Sequence, residues 1–303
     1  MMKQDWRQLW RHTLVSCLKL RPKEVVEPCI IQEENETLCK VFTGDEIWQP
    51  LFQMNPYKAA GPDSMSPALF QNLWSTVGPN DFCLNLKNHV FLPPCLNDAP
   101  VVLVHKTSNS ERVAHFRPIS LCNAIYKIIS KAIGNRLKLI LSKIISSNQR
   151  AFVLGRLITD NIGVAFETMH FLNNCKAQGW GYAAIKLDVA KAYDSVEWRY
   201  LEATMLKLGF AREWVTKIMH CVSLVSFGVL VNGTRIGPIV LQRGIRQGDP
   251  LSPYLFRISA EGFSKMFTQA ASIGDICGVK VCKGPPSVRH LLFADEFILC
   301  RIG

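Results

Sequence analysis

Two aspartates stand where a carboxylate is costly to keep. Asp188 ends the apolar run at residues 182–187, and Asp295 sits inside the apolar stretch Leu291-Leu-Phe-Ala-Asp-Glu-Phe-Ile-Leu299. A charge at a buried strand end needs compensation, and a metal ion is the expected partner of two such groups. Hard oxygen ligands suit Mg²⁺. Two ions roughly 3.5–4 Å apart, completed by substrate phosphate, form the arrangement of two-metal phosphoryl transfer. A lone strand-end Asp is more often a cap. Asp295 is the stronger signal, because a loop tip within an apolar hairpin has little structural need for a charge.

The flanking segments must position these groups. After Asp188, Tyr193 and Asp194 lead into a helical pattern from Ser195, with Trp198, Leu201, Met205 and Leu208 at helical spacing and a stop at Gly209. A further helix is expected over 213–224. Asn232-Gly233 between two apolar runs predicts a tight hairpin. The loop Arg243-Gly-Ile-Arg-Gln-Gly-Asp-Pro-Leu-Ser-Pro253 follows, with two glycines that let the backbone approach a flat or anionic ligand. Ser252-Pro253 then opens a helix carrying Leu255, Ile258, Phe263 and Phe267. Residues 279–282 are a short strand candidate, and 289–300 read as a hairpin with Asp295 at its tip.

Upstream, Trp6, Leu9, Trp10, Leu14 and Leu18 form a rough helical stripe, followed by Pro22, Pro28 and acidic residues. Gly61-Pro-Asp63 signals a turn, and Ser66-Pro67 the start of a helix over 68–77. Residues 101–104 and Phe116-Arg-Pro-Ile-Ser-Leu121 predict paired strands that aim Lys106 and Arg117 at one phosphate; two unconnected surface cations are the plainer reading. The clearest helix covers 127–145, with isoleucines and leucines on one face and the basic residues on the other. Thr159 is placed as the cap of another helix, running to about 176 with Ile162, Phe166 and Met169 inward.

The 303 residues carry a net charge of +11, which favours a polyanionic partner. Residues 101–150 alone hold nine Lys or Arg against Glu111. A hydrophobic share of 48% describes a globular chain. Eleven scattered cysteines without a Cys-x-x-Cys pair read as reduced, mostly buried thiols. No run is long enough for a membrane span and no signal peptide is visible, so the expected location is intracellular, nuclear or cytoplasmic.

From about Asn55 onward the chain resembles the reverse transcriptases of LINE-type (non-LTR) retrotransposons, closest to the plant versions. The resemblance rests on motifs in one order: Lys58-Ala-Ala-Gly-Pro-Asp63, Phe116-Arg-Pro-Ile-Ser-Leu-Cys-Asn123, Gln149-Arg-Ala-Phe-Val153, Gly155-Arg-Leu-Ile-Thr-Asp-Asn161, Leu187-Asp-Val-Ala-Lys-Ala-Tyr-Asp-Ser-Val-Glu-Trp198, Gly244-Ile-Arg-Gln-Gly-Asp-Pro-Leu-Ser-Pro253 and Leu292-Phe-Ala-Asp295. It implies an α+β right-hand polymerase fold with an antiparallel sheet packed on helices. Fingers would cover about 55–180 and a partial palm about 181–303, after an N-terminal region 1–54 of unassigned role. It also implies an RNA template, a DNA primer and deoxynucleoside triphosphates as partners, with two Mg²⁺ ions or Mn²⁺. Asp188, Asp295 and the carbonyl of Val189 would hold the ions, with Glu296 as a further catalytic carboxylate. Lys106, Arg117, Tyr193, Gln247 and Gly248 would hold the incoming nucleotide, Tyr193 excluding a 2′-hydroxyl.

The chain departs from the family pattern in places. Glu296 stands where a second Asp is usual, Ser64 where Gly is usual, and Ala60, His105 and Leu154 where Pro is usual. The strands and thumb expected after the Asp295 hairpin are missing, which implies a truncated domain. The alternative reading is therefore a catalytically inactive, nucleic-acid-binding remnant. An intron maturase of the same fold fits the Gly-Pro-Asp and Arg-Pro-Ile-Ser-Leu segments less well.

Overall fold

A computed structural model describes residues 25–76, 94–150, 153, 155–174, 182–188, 191–274, 278–281, 287–293 and 296–302. The stripe at Trp6–Leu18, Leu154, Val189, Asp295, and the cysteines at 277 and 282 lie outside the described residues. In chain order the elements are α1 (Gln32–Cys39), α2 (Gly44–Phe52), α3 (Pro67–Asn72), β1 (Asp98–His105), β2 (Phe116–Ser120), α4 (Ala124–Ile144), α5 (Ile158–Asn174), β3 (Tyr182–Asp188), α6 (Trp198–Leu208), α7 (Arg212–Ser223), β4 (Ser226–Val231), β5 (Thr234–Val240), α8 (Ser252–Ser272), β6 (His290–Phe293) and β7 (Glu296–Ile302).

Local chemistry accounts for several boundaries. Thr43 and Glu46 form a reciprocal capping box that starts α2. α6 ends where Gly209 takes φ 97°, a left-handed value that suits glycine. Asn232 and Gly233, at φ 50° and 80°, make the two-residue turn between β4 and β5, with Val231 opposite Thr234. Of the strand candidate 279–282, residues 279–281 are described and form no strand; Val279 makes an isolated bridge to Val288.

There are two sheets among the described residues, ordered β2-β1-β4-β5 and β3-β7-β6. The second is antiparallel throughout, as expected. The first departs from that pattern, because β1 and β4 run parallel with Ala99 opposite Phe227. Hairpins force antiparallel pairing. The long helical crossover between β1 and β4 leaves the direction open.

One core joins α1, α2, α4, α6, α7 and α8. Leu38, Ile47, Tyr126, Leu137, Leu201, Met205, Trp214 and Ile258 all belong to it. Each fully buried residue of this kind contributes about 1.5–3 kcal/mol. Residues 25–54 therefore share the core of the chain that follows. Cys122 and Cys221 are buried free thiols; Cys29 and Cys39 are half-buried.

Two helices correct the expected faces. On α4 the basic residues are not all outward, since Lys127 and Arg136 are buried. Arg136 makes paired bonds to Glu46 at 2.7 and 2.8 Å and donates to the carbonyls of Leu38, Lys40 and Val41. Its guanidinium also lies 3.7 Å from the Phe42 ring centre. The long arginine thus fastens α1 and α2 to α4. On α5, Thr159 lies inside the helix rather than capping it, and Ile162, Phe166 and Met169 are 53%, 72% and 44% exposed. The inward face carries Asn161 and Thr168 instead, both buried. Hydrogen bonds from Asn161 fix that rotation, as described below.

Candidate active site

The loop between β5 and α8 is pinned from several sides. Gly244 N donates to Val196 O at 2.8 Å, Ile245 N to Tyr193 O at 2.9 Å, and Trp198 Nε1 to Gly244 O at 2.7 Å. Ser120 N, at the end of β2, donates to Gln247 O at 2.9 Å. Gly248 has φ 103°, and a Cβ there would stand 3.0 Å from Ser120 O, so only glycine fits without displacement. Beneath the loop lies a buried ionic cluster that sequence reasoning missed. Tyr126 O–H donates to Asp249 Oδ2 at 2.8 Å, Leu251 N to Asp249 Oδ1 at 2.9 Å, and Arg246 stands 3.4 Å from Asp249 and 3.9 Å from the Tyr126 ring centre. Arg246 Nη2 donates to Cys221 O at 2.8 Å. Burial alone would lower the Arg246 pKa; the facing Tyr126 and Asp249 outweigh it and hold the guanidinium above its ordinary value. Arg246 and Asp249, three residues apart either side of Gln247-Gly248, were the only available sign of this support.

Lys106 and Arg117 flank the β1–β2 hairpin, where Val104 is opposite Arg117 and His105 opposite Phe116. Lys106 Nζ donates to Ala114 O at 2.9 Å. Tyr193 is half-buried, its ring stacked on Phe256 at 5.4 Å and 6°. Lys106, Arg117, Tyr193, Gln247 and Gly248 all line one cleft of about 1810 Å³. Four separate stretches of chain are needed to bring them together.

Part of the cleft lining was not anticipated. Among its residues are Lys58 and, from the outer side of α4, Lys131, Asn135 and Lys138. Burial, then the neighbouring charges of Lys58 and Lys138, lower the Lys131 pKa. Lysines crowded this way favour an anion between them. The Gly61-Pro-Asp63 turn is what brings Lys58 here. Asp63 Oδ2 accepts from Ala124 N at 3.0 Å, placing an anion on the first turn of α4, and Lys127 Nζ donates to Ala59 O at 2.6 Å. A Cβ on Gly61 would lie 2.5 Å from Cys122 O. Ser64 takes φ 55°, a left-handed conformation that explains why glycine is the usual residue at that position. The arginines of the 147–156 loop bond to the chain itself, half-exposed Arg150 to Asp160 and Asn161. Arg156 donates to the carbonyls of Ser142, Ile145, Ser146 and Gln149 and closes the end of α4.

In the second sheet, Asp188 is the register partner of Glu296, and Glu296 that of Phe293. Asp295 and Val189, the other expected ion ligands, lie outside the described residues. Among the described residues, no helix is long and apolar enough to cross a membrane.

The sequence matches the family described as reverse transcriptase (RNA-dependent DNA polymerase) over residues 104–301. It is 32% identical over 239 residues to the "Transposon TX1 uncharacterized 149 kDa protein" of Xenopus laevis, covering 78% of this chain and 18% of that protein. It is 27% identical over 274 residues to the "Retrovirus-related Pol polyprotein from type-1 retrotransposable element R2" of Nasonia vitripennis, covering 89% of this chain and 25% of that one. A 67-residue stretch is 43% identical to "Uncharacterized mitochondrial protein AtMg01250" of Arabidopsis thaliana, covering 22% of this chain and 55% of that protein. The chain thus spans about a quarter or less of the two long relatives. With the family match running from the end of β1 into β7, and retrotransposon proteins as relatives over most of its length, the chain belongs to the reverse transcriptase (RNA-dependent DNA polymerase) family, of the LINE (non-LTR retrotransposon) type.

Proposed function

We propose that the chain carries the nucleotidyl-transfer site of an RNA-directed DNA polymerase, with fingers over about 55–180 and palm over about 181–303. The observation that carries this is the single cleft lined by Lys106, Arg117, Tyr193, Gln247 and Gly248. Lys106 and Arg117 bind the triphosphate of the incoming deoxynucleotide. Tyr193, braced by Phe256, lies under the sugar and rejects a 2′-hydroxyl. Gln247 and Gly248 face the base and the template pair. The lysine wall of α4 takes phosphates of the RNA template. The donor set fits magnesium by its chemistry, since every group offered is a hard oxygen, and β3 and β7 pair Asp188 with Glu296. Asp188, Asp295 and the carbonyl of Val189 would hold the ions, with Glu296 as the further carboxylate. Bound magnesium would supply charge neutralisation at the transferred phosphoryl group while a primer 3′-hydroxyl attacks in line.

Primer extension on an RNA template in Mg²⁺, by the purified chain and by Asp188→Ala, tests this reading. The expected result is extension that Asp188→Ala abolishes and Glu296→Asp increases, because one methylene displaces a carboxylate by about an ångström. Salt-sensitive RNA binding without extension would instead identify a nucleic-acid-binding remnant. The departure at Glu296 is the observation that favours that second reading.

A further inference from the structure

Tyr57 is 91% exposed, the most exposed large hydrophobic side chain among the described residues. Exposed aromatics scattered singly are ordinary. This one lines the same cleft as Lys58, Lys106 and Lys131. It stands directly before Lys58, outside the motif Lys58-Ala-Ala-Gly-Pro-Asp63 that carries part of the family resemblance.

The backbone that carries Tyr57 is held on both sides. Before it, Lys131 Nζ donates to Gln53 O at 3.4 Å, and Gln71 Nε2 on α3 donates to Met54 O at 3.1 Å. Asn55 folds an Asx turn beneath the tyrosine, with Tyr57 N donating to Asn55 Oδ1 at 2.9 Å and Lys58 N to Asn55 O at 3.1 Å. After it, Lys127 Nζ donates to Ala59 O at 2.6 Å. Burying the ring against the chain would add stability through its apolar area. A fixed loop that instead presents the ring to a cleft breaks a local rule, and so points to a ligand with a flat apolar face. The neighbouring charges define that ligand further. Lys58 and Lys138 are charged neighbours of Lys131, so three ammonium groups gather beside the tyrosine. A ring next to clustered cations fits a nucleotide, its base on the ring and its phosphates on the lysines. A tyrosine face accepts any base, but only an unpaired base has its own face free.

We propose that Tyr57 is a stacking platform for one unpaired base of the RNA template, with Lys58 and Lys131 on the flanking phosphates. This rests on the reading of the cleft as the template site. The ring holds a base by its face, so the contact is indifferent to sequence, which suits a strand copied one nucleotide at a time.

The test is fluorescence anisotropy of a labelled single-stranded RNA, on the full chain, for wild type, Tyr57→Ala and Tyr57→Phe. It is repeated with an abasic strand of the same length, which keeps the phosphates and removes the bases. The expected result on ordinary RNA is binding weakened about 5-fold or more in Tyr57→Ala, with Tyr57→Phe matching wild type. On the abasic strand all three should bind alike. Wild-type binding of ordinary RNA by Tyr57→Ala overturns the platform and leaves the cleft reading standing. A loss of the same size on the abasic strand also overturns it, because the effect would then come through the loop and not from ring on base. Equal losses in Tyr57→Phe and Tyr57→Ala would assign the contact to the hydroxyl and overturn stacking as well. Failure of the wild type to bind RNA overturns the cleft reading, and the platform with it.

Discussion

Glu261 shows how much a single side chain can tell. It is almost fully buried on α8, accepts from Ser146 N at 2.9 Å, and its Oε1 has no hydrogen-bond partner among the described residues. Burial raises its pKa to about 6; Ser146, Lys265 and Arg156 pull the other way without cancelling it. In the unfolded chain the carboxyl ionises near 4.5. Between those values the folded state holds the proton and the unfolded state releases it, so stability falls as pH rises through about 4.5 to 6 and stays lower above. Glu261→Gln keeps the acceptor and removes the charge. It should raise stability at pH 7 by about 1–2 kcal/mol, with the gain gone below about pH 4.5, as measured by denaturant unfolding at both pH values. Nothing around Glu261 in the sequence announced this. That Lys106 and Arg117 share a hairpin was legible from the apolar runs either side of a polar loop, whereas Tyr193 and Gln247 were singled out only by the family resemblance. The inward bonds of Arg136, Lys127 and Arg156 were not legible, because an arginine or lysine on a helix looks alike whether it faces water or reaches carbonyls brought in from distant sequence.

At the level of elements, periodicity located α4, α6, α7, α8 and the β4–β5 hairpin to within a few residues. It failed on the orientation of α5. An apolar stripe predicts an inward face only when hydrophobic burial outweighs every competing interaction. On α5 the Asn161 hydrogen bonds to the 148–150 connection and to β6 set the rotation instead. The parallel β1–β4 pair was equally hidden, because pairing across a long helical crossover leaves no local trace. α4 is the element on which most of the chain depends. Its hold on α1 and α2 runs through Arg136, so Arg136→Leu should destabilise the fold by about 3 kcal/mol by leaving Glu46 and three backbone carbonyls without their donor. A chemical denaturation curve for the variant checks it; a change under about 0.5 kcal/mol, as for an ordinary surface substitution, would show that the anchor is dispensable.

For the whole molecule, the charge of +11 is organised rather than spread evenly. Lys58, Lys106, Arg117, Lys131, Lys138 and Lys191 line one cleft, whereas Arg136, Arg156 and Arg246 are consumed in internal contacts. Single-stranded RNA in that cleft should bind with a steep salt dependence, each phosphate contact adding about 0.7 to the slope of log K against log salt. Replacing Lys131 and Lys138 together with Ala should flatten the slope by about 1 to 1.5, read by fluorescence anisotropy at several salt concentrations; an unchanged slope would move the strand elsewhere. The two halves of the site share a further dependence. α4 has 21 residues, so it is a rod about 31 Å long, with Asp63 at its start, Lys131, Asn135 and Lys138 along its middle, and Ser146 and Asn148, bonded to α8 and β6, just past its end. A single residue inserted after Lys138 would turn everything beyond it by about 100° and shift it by about 1.5 Å. The cleft wall and the carboxylate strand could not then both stay in place. In a lineage of copied elements, where insertions and deletions collect, α4 is a ruler whose length must be kept, even where its exposed letters are free to drift.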